Sequence, residues 1–451
     1  MKIIVVGGGK VGTSLTELLT EADHSVTVVD TDAATVQDVT EEYDAIGIVG
    51  NGASYSILEQ AEVDQADVLV AATPTDEVNM VACLLAKKMG CANTIARIRN
   101  PEYNRQLRLL QEDLGLSLVI NPELSAAQEI VGLLGFSGAE SLISMVGGRV
   151  NMVRYRVQEG SPLTGRPLAE LDHKKGENVI VCSVERDGEV FIPKGDFVLA
   201  AGDHAHLVGS LQNVDLFLRR MGVYRHVVRS IILVGGGKIA YYVAMMLKEA
   251  NMEVKIIEKD HARCVTLAEN LPHVLVVQGD GSEQKVLDSE GITETDAIVA
   301  LTGMDEENLL ISMYASLQNV PKVITKINRM EYVGIVERMG LDSIVSPKQS
   351  AVNNIARYVR AMRGGGGEVN AIYRLADGKA EAMELTVNEN VLHIGKALKD
   401  LPLRKDVLIA CIIREGRIIF PTGGDCLKMG DKLVVVTTAH LLAGVNGMFE
   451  E

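Results

Sequence analysis

Two short stretches hold the residues best suited to chemistry. "KIIVVGGGKVG" runs from Lys2 to Gly12, and "SIILVGGGKIA" from Ser230 to Ala240. In the first, Gly7, Gly9 and Gly12 spell G-x-G-x-x-G directly behind an apolar β-run, and a helix-like stretch, Val11–Leu19, follows. The first glycine permits a tight turn, the second has no Cβ to obstruct a pyrophosphate, and the third lets helix and strand approach. The free N–H groups and positive end of the helix then face the phosphates. Asp30 lies 18 residues past Gly12, at the end of the next β-run. There a carboxylate accepts hydrogen bonds from a ribose diol and repels a 2′-phosphate, which favours NAD over NADP.

Alone, this glycine pattern is a weak signal. Strand, helix, acid and a second copy together favour a binding site over a purely structural turn. The second copy offers Gly235, Gly237, Lys238 and Ile239, with Ala240 in place of the third glycine and Glu258 as the acid. Alanine is tolerated at that third position, which mostly serves packing. Lys259 follows the acid and either reaches a phosphate or stands in water; in the first case the second site would prefer ATP or ADP. Lys10 and Lys238 likewise either touch phosphate or face solvent.

The elements that position these residues come in two sets. Gly7 and Gly235 are 228 residues apart, as are Asp30 and Glu258; Thr73, Asp76, Glu77 and Asn79 meet Thr302, Asp305, Glu306 and Asn308 at 229. Pro122–Ser125 matches Pro347–Ser350, and "FIPKGDFVLAAGD" at Phe191–Asp203 answers "IFPTGGDCLKMGD" at Ile419–Asp431. A steady offset marks a duplicated unit. Each unit opens with β-runs alternating with helical stretches: Ile3–Val6, Val26–Val29, Val68–Ala71, Thr94–Ile98 and Leu118–Ile120 in the first. Such alternation implies βαβ crossovers and a parallel sheet. Shorter β-branched runs with turn glycines follow, at Val150–Val157, Val179–Arg186, Val190–Ile192 and His204–Val208. The expected fold is α/β: two Rossmann-like doubly wound domains at 1–134 and 229–363, each followed by a small α+β module, at 135–222 and 368–451. Val223–Arg229 links the units, and the Gly364–Gly367 run reads as a flexible joint.

Composition narrows the function. Among 451 residues, 60 acidic against 44 basic side chains give a net charge of −16, which argues against nucleic acid as partner. The six cysteines are scattered without a CxxC pair, so buried free thiols are expected and a metal site is not. The chain opens on a β-run and no uncharged apolar run reaches the ~18 residues of a spanning helix, so a soluble, cytoplasmic protein is expected. No histidine recurs between units; His173 and His206 are expected in loops or at the surface of the small module. Glu41–Glu42 reads as solvated surface, and Asp305–Glu307 as a stretch able to bind ions. A dehydrogenase needs an acid/base group beside the nicotinamide, and none is evident; nor is a hydrolase, zinc-protease or P-loop motif. Sensing is favoured over catalysis.

The residues also resemble a known family. "MKIIVVGGGKVG", "VVDTD", "GNGAS", "AATPTDEVNMVAC" and "ARIRNPEY", then "GGGKIA" and "QGDGSE", are similar to the TrkA family, peripheral regulatory subunits of Trk potassium-uptake systems with two RCK (KTN) units in tandem. The small modules, each with P-x-G-(x)6-G-D, look like that family's C-terminal subdomains. The resemblance implies no enzyme but a gating ring, a homotetramer of tandem chains beneath a membrane K+-translocating subunit (TrkH/TrkG-like), responsive to NAD(H) and to ATP or ADP. By position it implies that Gly7, Gly9, Lys10, Val11 and Gly12 cradle phosphates, that Asp30 holds ribose, that Asn51 and Gly52 flank adenine, and that Thr73 and Arg97 complete the pocket. The second unit offers Gly235, Gly237, Lys238, Ile239, Glu258, Asp280 and Thr302, with Lys326 where the first has Arg97. The alternatives are an NAD-dependent oxidoreductase and a regulator of another cation transporter.

Overall fold

The computed structural model describes residues 1–450 except 105, 107–110, 112, 137, 172–177, 223–226, 251, 342, 364–368 and 439–443. His173, His226, His440, Gly364–Gly367 and the first four residues of the Val223–Arg229 connection lie outside the described residues. Strands β1 (Lys2–Val6), β2 (Ser25–Asp30), β3 (Ala45–Val49), β4 (Val68–Ala71), β5 (Asn93–Arg97) and β6 (Leu118–Ile120) form one sheet in the order 3-2-1-4-5-6. Every pairing is parallel. Central strands covered on both faces need continuous apolar runs, and Ile3, Ile4, Val5 and Val6 are all buried. The order reverses beside β1, and ligands of such sheets bind outside the carboxyl ends at that point. The second unit repeats the plan with β12 (Ser230–Val234), β13 (Glu253–Glu258), β14 (Leu275–Gln278), β15 (Ala297–Ala300), β16 (Lys322–Lys326) and β17 (Ile344–Val345).

Each parallel sheet is followed by a five-stranded antiparallel one. In the first unit β7 (Ala139–Met145), β8 (Val150–Arg156), β9 (Val179–Arg186), β10 (Glu189–Phe191) and β11 (His204–Gly209) pair in the order 10-9-11-8-7. Strands β18 (Val369–Leu375), β19 (Ala380–Thr386), β20 (Val407–Arg414), β21 (Arg417–Ile419) and β22 (Lys432–Thr437) repeat that order. The two small sheets share a core in which Met145, Met152 and Cys182 meet Ala382, Cys411 and Val434. His206 is neither in a loop nor at the surface. It is buried in β11, its Nδ1 lies 2.9 Å from Ser183 Oγ, and burial pushes its pKa down to about 3. All six cysteines are free thiols, five of them buried.

The units are interlocked by two helices. Pro122–Gly135 starts with Asn121 Oδ1 accepting from Leu124 N–H at 2.9 Å and with proline in its first turn, both favoured at a helix start. Its buried face, Ala126, Ala127, Ile130 and Leu133, packs into the second unit against Ile239, Tyr242 and Val243. In return the helix Pro347–Arg363 carries Ala351, Val352, Ile355 and Val359 into the first unit, against Val5, Val11 and Leu15. The two crossing helices also touch each other.

Glu129 rides on the first of these helices, and burial alone raises its carboxyl from 4.5 to about 8. The folded chain therefore holds a proton that the unfolded chain releases between those values, and stability falls as pH rises through that window. Glu129→Gln is expected to raise thermal stability at pH 9 by the equivalent of a few kcal/mol and to change little at pH 4. Melting curves of both proteins at the two pH values check this.

Candidate functional site

Both glycine turns lie at the carboxyl ends of their central strands. Gly7 has φ 103° and Gly235 φ 101°, a left-handed conformation that glycine tolerates best. Beyond them start the helices Lys10–Glu21 and Lys238–Leu247, each with a glycine N-cap and no side-chain cap. By contrast Asp32, Asn121 and Ser210 cap the helices that follow them. The first-turn N–H groups of the two glycine-turn helices are thus left as donors for an anion.

The acids at the strand ends fix these turns. Asp30 Oδ2 accepts from Gly8 N–H at 2.6 Å and Oδ1 from Asp32 N–H at 2.9 Å. Glu258 repeats both bonds, with Gly236 N–H at 2.7 Å and Asp260 N–H at 2.8 Å. Gly50 N–H donates to the Asp30 carbonyl and Gly279 N–H to that of Glu258, which brings the loops holding Asn51, Gly52 and Asp280 beside the acids. Asn51 Oδ1 accepts from Ala53 N–H at 2.9 Å, and Gly52 packs on Val6. Asp280 Oδ1 accepts from the Ser282 hydroxyl and N–H, and these bonds lower its pKa. Lys259 is exposed.

A third support recurs in both units. Asn79, fully buried on the helix Asp76–Met89, accepts from Thr73 N–H at 2.8 Å and donates to the Arg97 carbonyl at 2.9 Å. Asn308 ties Thr302 and Lys326 in the same way, at 2.8 and 3.0 Å. Asp76 Oδ2 accepts from the N–H groups of Arg99 and Asn100, and Asp305 Oδ2 from those of Asn328 and Arg329. The carboxylate of Asp305 thus latches a loop, and no group of ligating side chains suited to a metal occurs among the described residues. The signal for these roles was the D-x-x-N spacing repeated in both halves.

The two turns open on one cavity of about 450 Å³ between the units. Its wall includes Gly9, Lys10, Val11 and Arg97 from the first unit and Gly237, Lys238, Ile239 and Lys326 from the second. The wall also carries Arg99, Glu123, Asn328 and Lys348, which sequence reading had not assigned to a site. Gly7, Gly12, Asp30, Asn51, Gly52, Thr73, Gly235, Glu258, Asp280 and Thr302 stand outside the wall. Lys10, Arg97, Arg99, Lys238, Lys326 and Lys348 face a single carboxylate, Glu123. Burial, then repulsion from Arg99, lowers the pKa of Arg97, whose Nε is buried without a hydrogen-bond partner. Burial also lowers that of Lys326, whose ammonium donates to the Thr302 carbonyl. Cations held this way favour an anion in the cavity.

The TrkA-N domain profile matches residues 3–122 and again 231–347, and the TrkA-C domain profile 152–222 and 382–446. The chain is 36% identical over 435 residues to a Trk system potassium uptake protein TrkA homolog of Archaeoglobus fulgidus, covering 96% of this chain and 97% of the relative. TrkA homolog 1 of Methanosarcina mazei is 32% identical over the full length of both proteins. Among solved structures, the GsuK channel superposes with TM-score 0.66 at 18% identity, over 97% of this chain and 77% of that one. A GsuK channel bound to NAD gives 0.65 with the same coverage, and a GsuK bound to ADP gives 0.53 over 80% of this chain and 69% of that one. These structural likenesses speak for the fold. With both domains present twice and relatives aligned along nearly its entire length, the chain belongs to the TrkA family of Trk-system potassium uptake proteins.

Proposed function

We propose that this chain is a cytoplasmic, nucleotide-binding regulatory subunit that gates a membrane-embedded potassium transporter of the TrkH/TrkG kind. One observation carries the reading: two uncapped helix starts, each behind a glycine turn clamped by an acid, open on one cationic cavity. In this reading the adenosine ribose of NAD(H) sits on Asp30, adenine lies by Asn51 and Gly52, and phosphates lie over Gly7 to Gly12, with Thr73 and Arg97 closing the pocket. The second unit uses Gly235, Gly237, Lys238, Ile239, Glu258, Asp280 and Thr302 and takes the same ligand or ATP or ADP. The GsuK structures of this fold bound to NAD and to ADP support these ligand classes. Rossmann domains at 1–134 and 229–363 act as sensors, the modules at 135–222 and 368–451 as transmitters, and tandem chains assemble as a tetrameric ring.

The ligand shifts a shape and is not consumed. Such a shift is limited by the ligand's differential affinity for the two states, and taking a ring from mostly closed to mostly open needs about 5.5 kcal/mol. Several sites on one ring share that requirement.

Calorimetric titration with NAD+, NADH, ATP and ADP tests the reading. Asp30→Ala is expected to weaken binding at the first site by about 10- to 100-fold, as for a lost hydrogen bond to a charged group. Glu258→Ala is expected to do the same at the second site alone. A parent protein that binds none of the four nucleotides would overturn the reading.

A further inference from the structure

The two halves of the cavity are joined by a polar tie that exists once among the described residues. Tyr242 lies on the helix Lys238–Leu247, which opens at the second glycine turn, and it is fully buried against the first unit. Its hydroxyl donates to the Arg99 carbonyl at 3.2 Å and accepts from Asn121 Nδ2 at 3.0 Å. Both partners precede or carry wall residues of the first unit. The Arg99 side chain lines the cavity, and Asn121 caps the helix whose first residues, Pro122 and Glu123, line it too. Arg99 and Glu123 approach each other at 3.7 Å, so the tie bears on their pairing.

Among the described residues the duplication has no counterpart to this tie. The position matching Tyr242 in the first unit is Ser14, and those matching Arg99 and Asn121 in the second are Asn328 and Ser346. Among the described residues, no hydrogen bond joins Ser14 to either of them. A displacement of the second turn's helix therefore has a direct hydrogen-bonded route to the first unit's wall.

We propose that the Tyr242 hydroxyl couples the two nucleotide sites, so that loading one changes the affinity of the other. This rests on the reading that both turns bind nucleotides. Linkage makes the coupling factor equal in both directions although the tie is built from one side only. Tyr242 is a positioning residue: its hydroxyl is outside the cavity wall.

The test titrates the full-length chain by calorimetry with NADH, the ligand this reading places at the first site and allows at the second. Asp30→Ala and Glu258→Ala supply the single-site affinities, and the ratio between these and the two-site isotherm of the parent gives the coupling factor. A factor of about tenfold is expected in the parent. In Tyr242→Phe the factor is expected to fall to about one while each single-site affinity stays within about twofold of the parent value. A merely structural tyrosine would instead shift the single-site affinities. Asn121→Ser decides the matter if Tyr242→Phe does not fold, because serine retains a helix-capping oxygen and removes only the donor to Tyr242; it too is expected to lower the factor. A parent isotherm equal to the sum of its single-site isotherms would overturn the coupling, as would undiminished coupling in the folded variants. Absence of any NADH binding to the parent, when NAD+, ATP and ADP are silent as well, would overturn the functional reading itself.

Discussion

Asp203→Ala is expected to cost about 1.5–3 kcal/mol in stability of the first small module, the usual worth of hydrogen bonds to a charged group whose partner keeps part of its surface in water. The aspartate is 1% exposed and takes a two-pronged bond from Arg186, with Nε and one terminal nitrogen each at 2.7 Å. The same carboxylate accepts from Ala200 N–H at 2.8 Å. Asp431 repeats this arrangement with Arg414 and Lys428 N–H, all at 2.8 Å. The P-x-G-(x)6-G-D pattern is therefore a folding device: Gly202 and Gly430 turn with φ 92° and 83°, and the aspartate closes the turn onto the neighbouring strand. Arg186 keeps 35% of its side-chain surface and Arg414 24%. Asp431→Ala should accordingly cost somewhat more, because less of the abandoned guanidinium regains water. Chemical unfolding, with hydrogen exchange to locate the loss in β9 and β11 or in β20 and β22, measures both. A change under about 1 kcal/mol would mean that water replaces the carboxylate.

Gly12→Ala is expected to disable the proposed first nucleotide site. A Cβ on Gly12 would lie 1.8 Å from the Gly7 carbonyl oxygen and 2.9 Å from its carbon. Both are backbone atoms of the turn itself, so the helix must withdraw or the turn must open. Forced overpacking of this kind costs about 1–3 kcal/mol, and the movement falls on the atoms proposed to hold phosphate. Loss of affinity at the first site by more than about tenfold is expected, the equivalent of ~1.4 kcal/mol. The second unit already carries Ala240 there, fully buried. Ala240→Gly should therefore cost only about 1 kcal/mol, from helix propensity, and spare binding. Equal effects from the two substitutions would show that the closeness of Gly12 to its turn is not what matters.

The central strands were legible because each is covered on both faces and reads as an unbroken apolar run. The edge strand β3 was not, since its short run Ala45–Val49 is broken by Gly47, a residue that strands disfavour. The acids Asp30 and Glu258 were found from spacing alone, but their grip on Gly8 and Gly236 depends on the path of the turn. Asn79 and Asn308 stood in a recognisable motif without revealing that they tie one strand end to the next. The shared cavity was beyond local reading. Arg99, Glu123 and Lys348 meet Lys10 and Lys238 only because Pro122–Gly135 and Pro347–Arg363 cross between the units. His206 was misplaced because a polar residue in an alternating stretch says nothing of which face its neighbours cover; in β11 that face meets Ser183.

The crossed helices make this chain a dimer spelled out in one polypeptide. Two separate copies of one unit would have to accept every substitution in pairs, so an improvement on one side would always arrive with its mirror image. Joining the copies end to end frees each from the other's spelling while the exchanged helices keep them in register. Ser14 and Tyr242, Gly12 and Ala240, Arg97 and Lys326 record that freedom. If both turns bind nucleotides as proposed, unequal halves let one chain compare two signals where identical halves would answer one.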